Sequence, residues 1–488
     1  MATLTTTFNS PGTYISEDTY GAIPADLSDH SAVYCVVFSD QGVRDTPTFV
    51  TSLDGFTNVF GASLSAAAIS LFFKQRTGTG LWIVNVSQRA EVSLTVNTAV
   101  EAEDYEVILN GFTLSYTATA TDTTATIAAE LGDLINKSVP SLASYYPNLL
   151  RYEPGTTVTS SANITLGAEV LAGVYPKVED VIDTVNIAFD PEMSQGFLCC
   201  PEFYQSFTDQ ADRVLLANAT EALVNDPKYY WINIIDCGED IATQTTSGLA
   251  INSAIAERNL LTSVRGHSIY YFPYLTDVTD TNIPPSLLVA AVAVRRNRQE
   301  GFAQPIAGVQ YPLYAVKDVT FNVGTIQQDQ LNPLGINCIR RLPSGRGIVV
   351  YGARTLSTDP NYRFVSVRLI MNVLAGSLRK AFDTLILSLV DGRGALFARI
   401  KQTAANICEL LRDGGALFGA NSDDAYLVVC DLTNNSLELL EQGIVGLDVR
   451  VKPSPTMEVL DIRLSRASLS AVLAEVVNSG DISDVNQA

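Results

Sequence analysis

The stretch that most constrains this chain comes early: Ser31-Ala-Val-Tyr-Cys-Val-Val-Phe38 places seven apolar residues in a row after one serine. A strand with one wet face alternates polar and apolar residues, so a run this uniform reads as a strand buried on both faces. A helical pattern from Ser63 to Lys74 follows, and Leu81–Val86 returns to a strand. This β-α-β rhythm predicts an α/β core beginning in residues 21–91.

The pattern then changes twice. Residues 92–175 are rich in Thr, Ser and Ala with short alternating strands, and Asn110-Gly111 marks a hairpin between two β runs. With a helix over Thr124–Asn136, this reads as an inserted β-rich domain. The α/β rhythm resumes near Val178 and fills residues 176–335. Its expected elements are a strand over Phe197–Cys200, a helix over Gln210–Asn225, a strand over Tyr229–Ile235, a helix over Ser247–Asn259 and a strand over Ser268–Tyr274. An apolar helix, Leu287–Val294, ends in Arg295-Arg296-Asn297-Arg298, where cations suit the negative helix end.

Residues 336–464 read as a separate C-terminal α/β domain. A strand at Gly347–Tyr351 precedes a helix over Tyr362–Thr384, with Val367, Ile370, Met371, Leu374, Leu378 and Phe382 on one face and Arg368, Asn372 and Arg379 on another. A second helix, Leu396–Arg412, stops at Gly414-Gly415, and strands are expected at Ala425–Cys430, Ile444–Val451 and Met457–Leu464. Residues 1–20 and 465–488 flank these as arms. The fold class is mixed α/β, multidomain, with an inserted β-rich domain and extended terminal arms.

Composition narrows the chemistry. Of 488 residues 47% are hydrophobic and 17% charged, enough apolar material for sizeable cores and too little charge for a disordered chain. The formal net charge of −21 argues against binding nucleic acid or docking on an anionic membrane. The charge is divided unevenly: residues 1–290 hold 11 Lys/Arg against 33 Asp/Glu, whereas residues 291–488 hold 20 against 19. The acidic part suits solvent and the Arg-bearing part suits a partner. The seven cysteines lack C-x-x-C spacing and read as reduced, buried thiols. With no signal peptide pattern and no apolar run longer than Leu287–Val294, a soluble protein made in the cytoplasm is expected.

No motif carries catalysis. Pro343-Ser344-Gly345-Arg346-Gly347 lacks phosphate-loop spacing and precedes a strand rather than following one. There is no G-x-S-x-G elbow, and His30 and His267 are the only imidazoles. Asp423-Asp424 and Glu239-Asp240 are isolated acidic pairs without a metal pattern. Carboxylates that meet in space stay open as an acid pair. No catalytic residue, cofactor or metal is predicted. The termini say more: Ser10-Pro11-Gly12-Thr13-Tyr14-Ile15-Ser16-Glu17 is a breaker followed by β-formers, and such extended segments are templates for pairing with another chain.

That N-terminal segment resembles the SPGVYxxE opening of contractile tail sheath proteins. Pro284-Pro285-Ser286 and Gly301-Phe302-Ala303-Gln304-Pro305 resemble a second family segment, although Leu287-Leu288, Phe302 and Gln304 depart from it. The densest likeness runs from Asn337-Cys338-Ile339-Arg340 through Gly345–Tyr351 to Gly352-Ala353-Arg354-Thr355-Leu356-Ser357. It continues in Asn361–Arg368 and Cys430–Asn435. The resemblance implies a non-enzymatic subunit that stacks as hexameric rings around an inner tube. It also implies baseplate and tail terminator partners and a place in a virion tail or injection-machine sheath.

It implies further that Pro11, Gly12, Tyr14 and Ile15 belong to an arm linking neighbours by strand addition. The C-terminal domain faces the tube, and the inserted domain points outward. Gly352, Ala353, Arg354, Thr355 and Leu356 are then structural, with Arg354 pairing a carboxylate in its own protomer or a neighbour's. Charge and helix placement make Arg379, Lys380, Arg399, Lys401 and Arg412 tube-facing residues. Two other readings are another tail component such as the tube protein, against which the length and insertion count, and a cytoplasmic α/β hydrolase using carboxylates.

Overall fold

The computed structural model describes residues 27–140, 142–146, 149–170, 175–301, 303–343, 345–390 and 394–462. Pro11, Gly12, Tyr14, Ile15 and the tail 465–488 lie outside the described residues. Met1–Ser454 forms one compact unit, and the chain from Pro455 onward is a second.

The first unit is organised by one eight-stranded sheet. Strand β1 (Ala32–Val37) is flanked in sequence by β2 (Thr48–Val50), helices α1 (Leu53–Phe60) and α2 (Ala66–Lys74), and β3 (Leu81–Asn85). Val33, Cys35 and Val37 enter one core while Tyr34 and Val36 enter the other, which is why β1 has no polar face.

At β3 the chain leaves the sheet and builds a third core from β4 (Ala90–Val96), β5 (Asp104–Leu109), β6 (Phe112–Thr117), α3 (Thr124–Ser138), β7 (Ala143–Tyr146), β8 (Leu149–Tyr152), β9 (Val158–Ser160) and β10 (Ile164–Leu166). Two antiparallel sheets, β10-β4-β8-β7 and β6-β5-β9, hold α3 against them. In β4, Ala90, Val92, Leu94 and Val96 point inward and the residues between them outward, the alternation of a strand with one covered face. Asn110 and Gly111 both take positive φ, 48° and 82°, as the two-residue turn between β5 and β6 requires.

The return passes through α4 (Val178–Ala188), β11 (Gly196–Cys199), α5 (Pro201–Ser206), α6 (Gln210–Asn225), β12 (Ile232–Asp236), α7 (Ser247–Arg258), β13 (Ser268–Phe272), α8 (Ser286–Glu300), β14 (Ile336–Arg341) and β15 (Ile348–Tyr351). The sheet order is β15-β14-β13-β12-β11-β1-β3-β2, parallel from β14 to β3 and antiparallel at both edge pairs. Helices α1, α2 and α8 cover one face, and α4 to α7 the other. Leu287–Val294 is buried throughout because α8 lies between the sheet and α2. Since β14 and β15 complete this sheet, the boundary expected at 335/336 is corrected: the core continues past residue 351.

After the sheet come α9 (Val365–Phe382), α10 (Ala395–Asp413) and an antiparallel hairpin of β16 (Tyr426–Val429) and β17 (Asp448–Val451). Val365 and Leu369 still belong to one core of the sheet, whereas Ile370, Val373 and Leu374 join Ala404, Ile407, Leu411 and Val428 in a fourth. The polar face of α9 is covered too: Arg368 and Asn372 are buried, donating to the carbonyls of Arg265 and Trp231 at 3.4 Å each. The strand expected over Ile444–Val451 begins only at Asp448, after Gly446, whose N–H is held by Asn435. Of the strand expected at Met457–Leu464, residues 457–462 have no regular structure, and Met457, Val459, Leu460 and Ile462 are exposed, with no partner strand among the described residues.

Gly196 packs so closely on β1 that a Cβ there would sit 1.9 Å from the Ala32 carbonyl oxygen. Gly196→Ala is expected to cost about 1–3 kcal/mol, since backbone rather than a side chain must yield. Gly248→Ala, on an open face of α7, should be neutral or stabilising. Urea midpoints of the two variants test the contrast.

Candidate functional site

Because β1 leads to β3 on one side and β11 on the other, the carboxyl ends of β1 and β11 form a topological switch point. Sheets wound in both directions bind ligands in such a crevice. Here Glu202, buried on α5, occupies it. Its Oε2 accepts from the Phe38 N–H (3.2 Å), the Ser63 hydroxyl (3.0 Å) and the Ser65 hydroxyl (2.9 Å), and its Oε1 accepts from the Tyr175 hydroxyl (3.1 Å). Burial raises the pKa of this carboxyl, and the four donors oppose the rise. Sequence reading missed Glu202, because its four donors come from three separate segments and only the Cys200-Pro201 step out of the strand marks the place.

At the end of β12, Asp236 is buried and its Oδ1 accepts the Ser286 N–H at the start of α8 (2.8 Å). Burial raises its pKa from 3.8 to about 7. All seven cysteines are buried and free, with burial pushing the thiols of Cys35, Cys199 and Cys200 upward. The two histidines serve the core. His30 Nε2 donates to the Tyr230 carbonyl and His267 Nδ1 to that of Trp231, both at 3.0 Å, and burial lowers each pKa to about 4.

The other sequence features fall apart in space. Gly345 and Gly347, both with positive φ, form the turn between β14 and β15. Exposed Asp240 pairs at 3.2 Å with buried Arg213, which also meets buried Glu257 at 2.6 Å, and Glu257 accepts from the Tyr270 hydroxyl. Asp423 and Asp424 lie in a single helical turn over Ser422–Ala425. Among the described residues no group of three or more His, Cys, Asp or Glu is arranged to hold a metal, and no helix is long and apolar enough to cross a membrane.

Gly352–Leu356 splices the sheet to α9. Buried Asn337 reads the motif's backbone: its Oδ1 accepts the Arg354 N–H (2.8 Å), and its Nδ2 donates to the carbonyls of Arg354 (2.7 Å) and Tyr270 (3.2 Å). A Cβ on Gly352 would lie 3.0 Å from the Asn337 Cα, so the close approach needs glycine. Ala353 accepts the Val365 N–H, Thr355 donates to Arg363, and Leu356 donates to Ser268. The Arg354 guanidinium reaches the Asn332 carbonyl (3.1 Å).

The five cations expected on an outer face separate. Arg379 is turned onto its own core, donating to the carbonyls of Pro191 (3.0 Å) and Lys228 (3.2 Å). Arg412 pairs with Glu409 and with Asp413 (3.0 Å). Arg399 is half-buried, while Lys380 and Lys401 are exposed. This module also holds the first and last described residues of the unit. Leu27 packs against its core, Ser28 N–H donates to the Ser377 hydroxyl (2.8 Å), and Ser454 N–H donates to the Ala416 carbonyl just past α10. Among the described residues, neither outer edge of the β16–β17 hairpin pairs with another strand.

No protein-family model matches the chain, and no curated protein matches it in sequence. Solved structures do match in fold. A chain of the sheath complex of an extracellular contractile injection system, PVC, in its contracted state has a TM-score of 0.60 and 17% identity, covering 95% of this chain and 99% of its own. A chain of the contracted helical sheath of the anti-feeding prophage has a TM-score of 0.58 and 20% identity, covering 94% and 100%. A chain of that prophage's 6-fold symmetrised baseplate has a TM-score of 0.57 and 19% identity, covering 95% and 100%. The chain thus has the fold of contractile sheath subunits over more than nine-tenths of its length.

Two substitutions probe this architecture. Asn337→Ala is expected to cost about 2–3 kcal/mol, read from urea unfolding, because it orphans buried backbone groups at Arg354. For Asp236, the folded state holds the proton more tightly than the unfolded chain. The stability this contributes is complete below the unfolded pKa of 3.8 and is lost as pH rises through about 7. Asp236→Asn should therefore gain on the natural protein between about pH 4 and pH 7, and an unchanged gap in urea midpoint across that range counts against the assignment.

Proposed function

We propose that this chain is the structural subunit of a contractile sheath, polymerising as stacked hexameric rings around an inner tube and contracting to drive the tube through a target envelope. The observation that carries the proposal is the fold shared along nearly the whole chain with sheath chains of two contractile machines. The anatomy of the C-terminal module supports it. The first and last described residues of the unit, Leu27 and Ser454, rest on the module that carries a two-stranded hairpin whose outer edges lack partners among the described residues. An unpaired edge accepts an added strand through backbone hydrogen bonds, so arms from residues 1–20 and 465–488 would join neighbouring subunits there. Lys380 and Lys401 are the two of the five that are exposed, and so best suit an acidic tube surface.

The partners in this reading are further copies of the chain, an inner tube protein, and baseplate and terminator proteins, in a virion tail or an injection machine. Contraction is then rearrangement of stiff subunits tied by arms, releasing energy stored in a metastable extended assembly. The subunit needs no catalytic group. An internal carboxylate fills the crevice in which this topology ordinarily binds ligands.

Negative-stain microscopy of the purified protein, alone and with a tube protein, is the test. Hollow striated cylinders are expected from the full chain. Deleting residues 1–20 should abolish them while leaving a monomer with an unchanged circular dichroism spectrum. Dispersed monomers from the full chain even with the tube, or cylinders that survive the deletion, would contradict the sheath reading and the strand-addition reading respectively.

A further inference from the structure

We propose that Glu202 is a built-in occupant of an anion pocket, and that removing its carboxylate uncovers a binding site for a small carboxylate of acetate size. This rests on the fold and the crevice geometry and is independent of the sheath reading.

The pocket is assembled from three segments that meet Glu202 only in the folded chain. Phe38 supplies a backbone N–H as β1 ends, Ser63 and Ser65 supply hydroxyls immediately before α2, and Tyr175 supplies a phenol on the strand-to-helix return from the inserted domain. All four donors converge on two oxygens of one buried side chain, at 2.9 to 3.2 Å. A buried donor left unmade costs free energy, so the cluster demands an acceptor, and an anion satisfies several donors at once. Its position at the switch point between β1 and β11 is where a sheet of this winding receives a ligand from outside. Here the chain supplies the acceptor covalently and thereby avoids the entropy cost of capturing a free one.

The size of the missing ligand follows from the side chain. Glu202→Ala removes one methylene and the carboxylate, the heavy atoms of acetate. The vacancy would also be reachable, because a crevice of about 100 Å³ bordered by Leu64, Ala68, Gln205 and Asn282 adjoins Glu202 and Ser65.

The experiment is thermal unfolding of the full-length chain and its Glu202→Ala and Glu202→Gln variants in sodium acetate or sodium chloride of equal ionic strength. Glu202→Ala should melt below the natural protein, and acetate up to about 100 mM should raise its Tm along a saturable curve, as expected for a ligand that binds only the folded state. Chloride should not do so. The natural protein and Glu202→Gln, whose pockets stay filled, should respond to neither salt. An equal acetate response in all three proteins, or none in Glu202→Ala, overturns the proposal. Should Glu202→Ala fail to fold unaided, refolding from urea becomes the readout: a higher yield in acetate than in chloride supports the site, and equal yields overturn it.

Discussion

The covering of both faces of one parallel sheet is the condition on which the rest of this protein depends. Strands such as β1 and β12 have nothing but burial to offer on either side, so helices have to be delivered alternately to both faces by the connections between them. The consequences reach outward. α8 is apolar along its first half because it is sandwiched, and α9 begins as a core helix before it becomes the first element of the C-terminal module. At about 1.5–3 kcal/mol for each large apolar side chain buried, this sheet dominates the stabilising side of the balance.

Polar groups inside that core act as positional fixtures. Asn337 holds the Gly352–Leu356 splice, Glu202 draws three segments together, and the two histidines hold adjacent carbonyls of the loop that enters β12. Each finds at least one backbone or hydroxyl partner, which lowers the cost of burying it. Such residues hold the geometry of the ends of strands, where apolar packing alone is least selective.

How much of this could be read in the sequence depended on whether the signal was local. The runs at 31–38 and 81–86, the helix Gln210–Asn225 and the Asn110-Gly111 turn carry their own pattern, and the elements lie where those patterns put them. β14 was hidden because Asn337, Arg340 and Arg341 break its apolar run, although Asn337 is wholly buried. Periodicity in α9 revealed one apolar face and left Arg368 and Asn372 looking exterior; carbonyls from distant loops make their burial tolerable, and no local pattern announces those. The carbonyl partners of Arg379 were out of reach for the same reason, since they lie about 150 and 190 residues away in sequence. The family resemblance reached the fold through the motif around Gly352, a segment whose role is to join parts rather than to react.

The inserted domain leaves and rejoins the core through one antiparallel bridge, in which Glu91 and Val170 exchange both backbone hydrogen bonds. Its strands are sealed to α4 by a buried cluster in which Arg151 meets Asp180 and Asp183 (2.9 Å to the latter), with Arg89 beside Asp183 and Lys177 on Glu91. Entry and exit one hydrogen bond apart make the module a detachable cassette as far as chain connectivity goes, because a short turn could close the gap at little entropic cost. The buried charges set the terms of exchange. Any replacement grafted at this position inherits Asp180, Asp183 and Arg89 from the host side and has to bring a cation in the place of Arg151, or the host carboxylates must be neutralised with it. Lineages or engineers that swap the inserted domain are thus constrained at the socket, where the electrostatics are shared, far more than over the rest of the cassette.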